Sequence, residues 1–96
     1  MTSQLNLVIM VCFLYILKSE AYNWYYVGFT SNLKERVKTH NTGGVKSTKS
    51  RKPFKLIYSE EYLTKAEARK RELELKRNWK LKKSIIDNIL ALSSNG

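Results

Sequence analysis

Apolar residues dominate the start of the chain, where Leu5 to Leu17 is interrupted only by Asn6. The second half of this run, followed by Trp24-Tyr25-Tyr26-Val27-Gly28, predicts two short strands near 11–18 and 24–29. Leu33 and Val37 recur at helical spacing, predicting a helix over about 31–41, capped by Asn32 with Glu35 or by Ser31. Asn41 to Pro53, with Gly43, Gly44 and Pro53, reads as a mobile basic loop. Phe54, Leu56, Tyr58 and Tyr62 alternate with Lys55, Ile57 and Glu61. This predicts a strand over 54–62 with the first four on one face and Glu60 breaking it near the end. Thr64-Lys65-Ala66-Glu67 matches a capping box, with Leu63 and Ala68 placed as a hydrophobic staple, and opens a helix over about 65–77. Trp79, Ile85, Ile86, Ile89 and Leu90 predict another helix over about 79–91, and Ser93 to Gly96 should form a disordered tail. The order β-β-α-β-α-α specifies an α+β fold, a small three-stranded sheet flanked by helices.

At 96 residues the chain is expected to form one domain, over about 10–92. Met10 is a plausible natural start, which makes residues 1–9 an extension. The apolar lead-in has no preceding Lys or Arg, unlike a signal peptide, and is too short to span a bilayer. A cytoplasmic protein without a membrane partner is expected. A single Cys, Cys12, excludes an internal disulfide, and one His leaves no Cys/His zinc set.

The formal charge is +10, and it is clustered. Lys34 to Lys55 carries eight basic residues against Glu35 alone, and Lys65 to Lys83 carries nine against three acids. Such density points to an acidic partner, with nucleic-acid phosphate the best match. Lys46, Lys49, Arg51 and Lys52 in the loop are the candidate phosphate contacts.

Candidate chemistry comes from a few positions. A four-residue turn, Ser19 to Tyr22, would pair Lys18 with Asn23, Leu17 with Trp24 and Tyr15 with Tyr26, putting two phenols on one face. Arg36 and His40 are four apart and project from one side of their helix. Together they suit an anionic phosphate transition state, although Arg36 paired with Asn32 or Glu35 and a structural His40 fit the pattern too. Ala68, Glu72, Leu75 and Trp79 form a helical stripe, placing a carboxylate on an apolar face. A buried acid needs a cation, a donor or a metal. Pairing with Arg69 or Lys76 and metal ligation both satisfy that need, and Mg²⁺ can be held by one protein carboxylate when phosphate and water complete its shell.

These positions together resemble the GIY-YIG nucleases, in particular compact members with little beyond the nuclease domain. Phe13-Leu14-Tyr15 stands where the family has Gly-Ile-Tyr, and Tyr26-Val27-Gly28 where it has Tyr-Ile-Gly. Thr30-Ser31-Asn32-Leu33, Arg36 and His40-Asn41 are similar to its first helix, and Arg71-Glu72 to its metal-binding segment, so the likeness spans about 11–90. The resemblance implies a metal-dependent endonuclease attacking phosphodiesters in line with water. By that likeness Tyr26 would help activate the water and Tyr15 would orient water or phosphate. Arg36 would steady the phosphate charge, His40 would assist, and Glu72 would hold a single Mg²⁺ or Mn²⁺. An Asn that often follows the family's Glu has no clear equivalent in Asn78 or Asn88. DNA is favoured over RNA as substrate, with low intrinsic sequence specificity and selectivity supplied by nucleic-acid structure or a protein partner. The alternative is a catalytically weak nucleic-acid-binding module of the same fold.

Overall fold

The computed structural model describes residues 10–94, so the predicted extension over 1–9 lies outside the described residues. The elements are β1 (Cys12–Ser19), β2 (Tyr25–Thr30), α1 (Leu33–Asn41), a 3-10 turn (Lys49–Arg51), β3 (Phe54–Tyr62), α2 (Lys65–Arg77) and α3 (Trp79–Ser94). The expected order is realised. The sheet is antiparallel throughout, with strand order β2-β1-β3.

The central position of β1 explains its unbroken hydrophobicity, because both of its faces are covered. Leu14 and Ile16 face one side, where Leu75 of α2 and Leu81 and Ile85 of α3 pack with Val27. Tyr15 and Leu17 face the other, where Leu33 and Val37 of α1 pack with Trp24, Tyr26 and Phe54. A strand buried on both sides loses the polar alternation of a half-exposed one.

One irregularity decides what β3 contributes to each face. Ile16 pairs with Tyr58 but Leu17 pairs with Leu56, so Ile57 is an extra residue in a β-bulge. The bulge reverses the alternation of β3. Phe54 therefore joins the α1 side, while Tyr58 and Tyr62 join the side of α2 and α3, correcting the expectation that all shared one face. Glu60 sits between these tyrosines inside the strand. Its carboxylate accepts hydrogen bonds from Tyr58 (2.5 Å) and Tyr62 (2.6 Å), and from Nε and Nη2 of Arg71 (2.8 and 3.0 Å). Burial pulls the Glu60 pKa upward, but the bonds from Arg71, Tyr58 and Tyr62 outweigh it and bring the value down to about 2. Arg71 also binds Glu74 at 2.7 Å, so this fork pins α2 to β3.

The helix starts follow their caps. Asn32 accepts from the Glu35 amide at 3.1 Å, and Thr64 from the Glu67 amide at 3.2 Å. Ser31 is not the cap, and Leu63 is exposed, so the expected staple with Ala68 does not enclose it. Asn78 ends α2 and its side chain accepts from the Leu81 amide at 3.1 Å, opening α3. That break changes the helical phase, and Trp79 is 66% exposed instead of continuing the Ala68-Glu72-Leu75 stripe. The last helix runs through Ser94, into the stretch expected to fray, and Asn95 and Gly96 lie outside the described residues.

The basic loop has more structure than its composition suggests. Asn41 at the end of α1 bonds both backbone groups of Phe54, donating to its carbonyl (3.1 Å) and accepting from its amide (2.5 Å). The 3-10 turn and the buried Thr48 hold the middle. No helix among the described residues is long and apolar enough to cross a membrane. Asn41→Ala leaves two partly buried backbone groups unpaired and should lower stability by about 1–3 kcal/mol, read from urea unfolding midpoints.

Candidate active site

The hairpin between β1 and β2 is wider than the four-residue turn expected. Ser19 is buried, and its hydroxyl oxygen accepts from the amides of Ala21 (3.1 Å) and Tyr22 (3.0 Å), which lengthens the turn before Ser19 and Trp24 close the ladder. The register is accordingly Lys18 with Tyr25, Leu17 with Tyr26 and Tyr15 with Gly28. Tyr15 and Tyr26 are not direct partners. A two-residue shift preserves the face of every side chain, so the phenols remain diagonal neighbours with ring centroids 6.2 Å apart.

Gly28 is what lets Tyr15 lie where it does. A Cβ at position 28 would stand 2.6 Å from the Tyr15 hydroxyl and 2.7 Å from its Cζ. The phenol ends over the β2 backbone because that position carries no side chain.

The Tyr15 hydroxyl is buried and meets two groups, one of which passes the contact on to a third. It lies 2.9 Å from Nε2 of His40, whose Nδ1 lies 2.8 Å from the Thr48 hydroxyl, and it accepts from Nε of Arg36 at 3.3 Å. Desolvation of the fully buried imidazole, with the nearby Arg36 charge, pushes the His40 pKa down to about 4. At neutral pH His40 therefore holds one ring proton. The arrangement that satisfies every member has Tyr15 donating to Nε2, Nδ1–H donating to Thr48, and the Thr48 hydroxyl turned toward the Val45 carbonyl at 3.4 Å. Burial raises the Tyr15 pKa to about 12, although the Arg36 hydrogen bond acts against it. Tyr15 is thus a protonated, oriented phenol. Arg36 is held more firmly charged, chiefly by its bond to Tyr15.

Tyr26 completes the cluster, its ring centroid 5.0 Å from that of His40. From the other helix layer, Glu72 of α2 is only 7% exposed and its charge acts on Tyr15. Its Oε2 accepts from Lys76 at 2.9 Å, and the same ammonium lies 5.4 Å from the Tyr26 ring centroid. Of the two roles open to Glu72 in the sequence, the ion pair with Lys76 is formed. The second carboxylate oxygen has no hydrogen bond among the described residues. No three His, Cys, Asp or Glu side chains gather into a metal-binding group among those residues. The donor set fits a cation that brings its own water and phosphate ligands, such as Mg²⁺, and does not fit a protein-caged ion.

Tyr15, Tyr26, Arg36 and His40 therefore converge and Glu72 is linked to them through Lys76, while the four loop cations separate. Lys46, Lys49 and Lys52 are exposed. Arg51 instead places its guanidinium 4.8 Å from the Trp24 ring centroid and 5.5 Å from that of Tyr22. Sequence reasoning missed Thr48, which has no periodic signal, and Lys76 as a link between Glu72 and Tyr26. Arg71, taken with Glu72 as one segment, turns to Glu60 instead.

The sequence profile of the GIY-YIG catalytic domain matches residues 11–84. The chain belongs to the GIY-YIG family. The matched span takes in both tyrosine motifs, Arg36, His40 and Glu72. It is 43% identical over 74 residues to the UPF0213 protein YazA of Bacillus subtilis (strain 168), covering 76% of this chain and 74% of that protein. A UPF0213 protein of Staphylococcus haemolyticus is 45% identical over 74 residues, covering 73% of this chain and 89% of the relative. The solution NMR structure of a UPF0213 protein from Bacillus halodurans superposes with a TM-score of 0.51 at 32% identity, covering 83% of this chain and 85% of that one. The three-stranded sheet and three helices are therefore the GIY-YIG fold, and the family is one of nucleases acting on nucleic acid.

Two outcomes test the phenol-centred network of this GIY-YIG domain. Gly28→Ala should displace Tyr15 and cost about 1–3 kcal/mol by overpacking, seen as a lower unfolding midpoint. The unfolded chain takes up a His40 proton near its ordinary pKa of 6.5 and the folded one only near about 4. Stability should then fall as pH drops through that window, with a slope of up to ~1.4 kcal/mol per pH unit. Thermal melts from pH 7 to 4 read this slope, and His40→Gln should remove it.

Proposed function

We propose that this chain is an endonuclease that hydrolyses nucleic-acid phosphodiester bonds by in-line attack of water, with one divalent ion at Glu72. The observation that carries the reading is the meeting of two phenols, a guanidinium, a neutral imidazole and one mostly buried carboxylate within a strongly basic chain. Family membership supports it.

Each residue has work suited to its surroundings. Tyr15, protonated and fixed between Arg36 and His40, orients the attacking water or a phosphate oxygen through its hydroxyl. Tyr26, beside the cations Arg36 and Lys76, assists removal of the water proton. Arg36 offsets negative charge growing on the phosphate. His40, in its neutral form, accepts the Tyr15 hydrogen bond and holds that hydroxyl in position. Mg²⁺ or Mn²⁺ bound at Glu72 would polarise the phosphate and ease departure of the leaving oxygen. Lys76, 43% exposed in its side chain, holds one Glu72 oxygen and competes with the ion for that carboxylate. The exposed Lys46, Lys49 and Lys52 contact backbone phosphates, which position a substrate without reading its sequence. Low sequence specificity follows, with DNA favoured as substrate and selectivity supplied by its structure or by a protein partner.

The Lys76–Glu72 ion pair favours a second reading. If it persists in the presence of the ion, the chain grips nucleic acid without cutting it. Labelled single-stranded, duplex and branched DNA, with RNA, incubated with Mg²⁺ or Mn²⁺ separates the two. Cleavage should be lost in Glu72→Ala, and Tyr26→Phe should slow it by roughly 10²–10⁴-fold while binding stays nearly unchanged. Binding of every substrate by the wild type with no cleavage would establish the second reading.

A further inference from the structure

A row of planar side chains leads away from the phenol cluster. The Tyr26 ring centroid lies 6.2 Å from that of Trp24, and the Arg51 guanidinium lies 4.8 Å from the Trp24 centroid and 5.5 Å from that of Tyr22 at the hairpin turn. Tyr22 is 54% exposed, and Trp24 and Arg51 are partly exposed. Nothing in the proposed hydrolysis uses them.

The row is built into the fold. The Ser19 hydroxyl that accepts from the Tyr22 amide donates to the Arg51 carbonyl at 2.7 Å, and the Glu20 amide donates to the Pro53 carbonyl at 2.9 Å. The hairpin turn and the basic loop are thereby fastened together. Trp24 is further backed by Phe54, with ring centroids 6.1 Å apart. Preset aromatic faces avoid much of the ordering cost of binding. Exposed Lys49 and Lys52 flank Arg51 in sequence, so the nearby surface is cationic, with Glu20 the acid of the turn.

Aromatic faces alternating with a guanidinium, set in cationic surroundings, match the chemistry of an unpaired nucleobase joined to a phosphate backbone. Bases within a duplex already stack on one another and offer no free face, whereas single strands stack on Tyr, Trp and Arg planes. We infer that Tyr22, Trp24 and Arg51 form a stacking subsite for an unpaired nucleobase, displaced toward the hairpin turn from Tyr26. Arg51 is then a stacking group in this subsite before it is a phosphate contact. Placement of the base beside the cleaved phosphate rests on the nuclease reading, whereas stacking itself does not.

The test uses the full chain without divalent metal, so that binding is read apart from cleavage. Trp79→Phe leaves Trp24 as the sole tryptophan, and the exposure of Trp79 makes that change mild. Titration with oligothymidylate of about twelve nucleotides, a length suited to one small binding surface, should quench Trp24 fluorescence. A hairpin duplex of equal charge should quench it little. Tyr22→Ser, at an exposed position, should weaken single-strand binding by roughly 5–100-fold and leave duplex binding nearly unchanged. Absence of single-strand binding, unquenched Trp24 when anisotropy of the labelled strand shows saturation, or equal weakening of both ligands by Tyr22→Ser would each overturn the subsite. Quenching in a chain that fails to cut retains the subsite and removes the nuclease; cleavage without quenching does the reverse.

Discussion

A phenol hydroxyl buried in the middle strand of the sheet must find hydrogen-bond partners, and much of the molecule is arranged to supply them. Tyr15 is buried on the central strand, which is covered on both sides, so bulk water cannot serve. Its requirement brings Arg36 and His40 of α1 to one oxygen. His40, buried in turn, transmits the requirement to Thr48 and gives the basic loop a fixed point inside the domain. Gly28 leaves the space in which the phenol ends. Residues that look independent in the sequence are thus conditions for burying one polar atom without loss.

The two sides of the sheet divide the remaining work. On the α1 side lie the phenols, the guanidinium and the imidazole. On the opposite side Glu60 is neutralised by Arg71 and held by Tyr58 and Tyr62. The bulge at Ile57 makes the division possible by allowing a single strand to send Phe54 to one side and these tyrosines to the other. α2 connects the sides through adjacent residues: Arg71 anchors the helix to β3, and Glu72, about 100° further around it, acts on Tyr15. The Glu60–Arg71 ion pair, across the sheet from Tyr15, in this way fixes the rotation of the helix that carries the acid.

The order of elements and the main chemical residues were legible because they depend on local signals. Asn32 and Thr64 have their capping partners three residues away, and Arg36 and His40 share a helix face through spacing alone. The hairpin register was not legible, since it depends on a Ser19 side chain taking two backbone amides. The even size of the shift preserved the shared face of Tyr15 and Tyr26 despite the wrong pairing. The bulge was invisible for a related reason: Ile57 is apolar, and no local rule distinguishes an extra apolar residue from an alternating one. Trp79 was misplaced because helical spacing was carried across Asn78, where the chain restarts its phase. Glu60 looked like a strand end because the guanidinium that permits its burial lies eleven residues later on another element.

Ser19 has a wider architectural effect than its size suggests. Its oxygen ties two segments that come from opposite edges of the sheet. A residue inserted between Ser19 and Tyr22 would disturb the amides this oxygen accepts from and, through it, the contact with the Arg51 carbonyl. One hydroxyl thus makes the path of the hairpin turn and the path of the loop into β3 a single geometric problem.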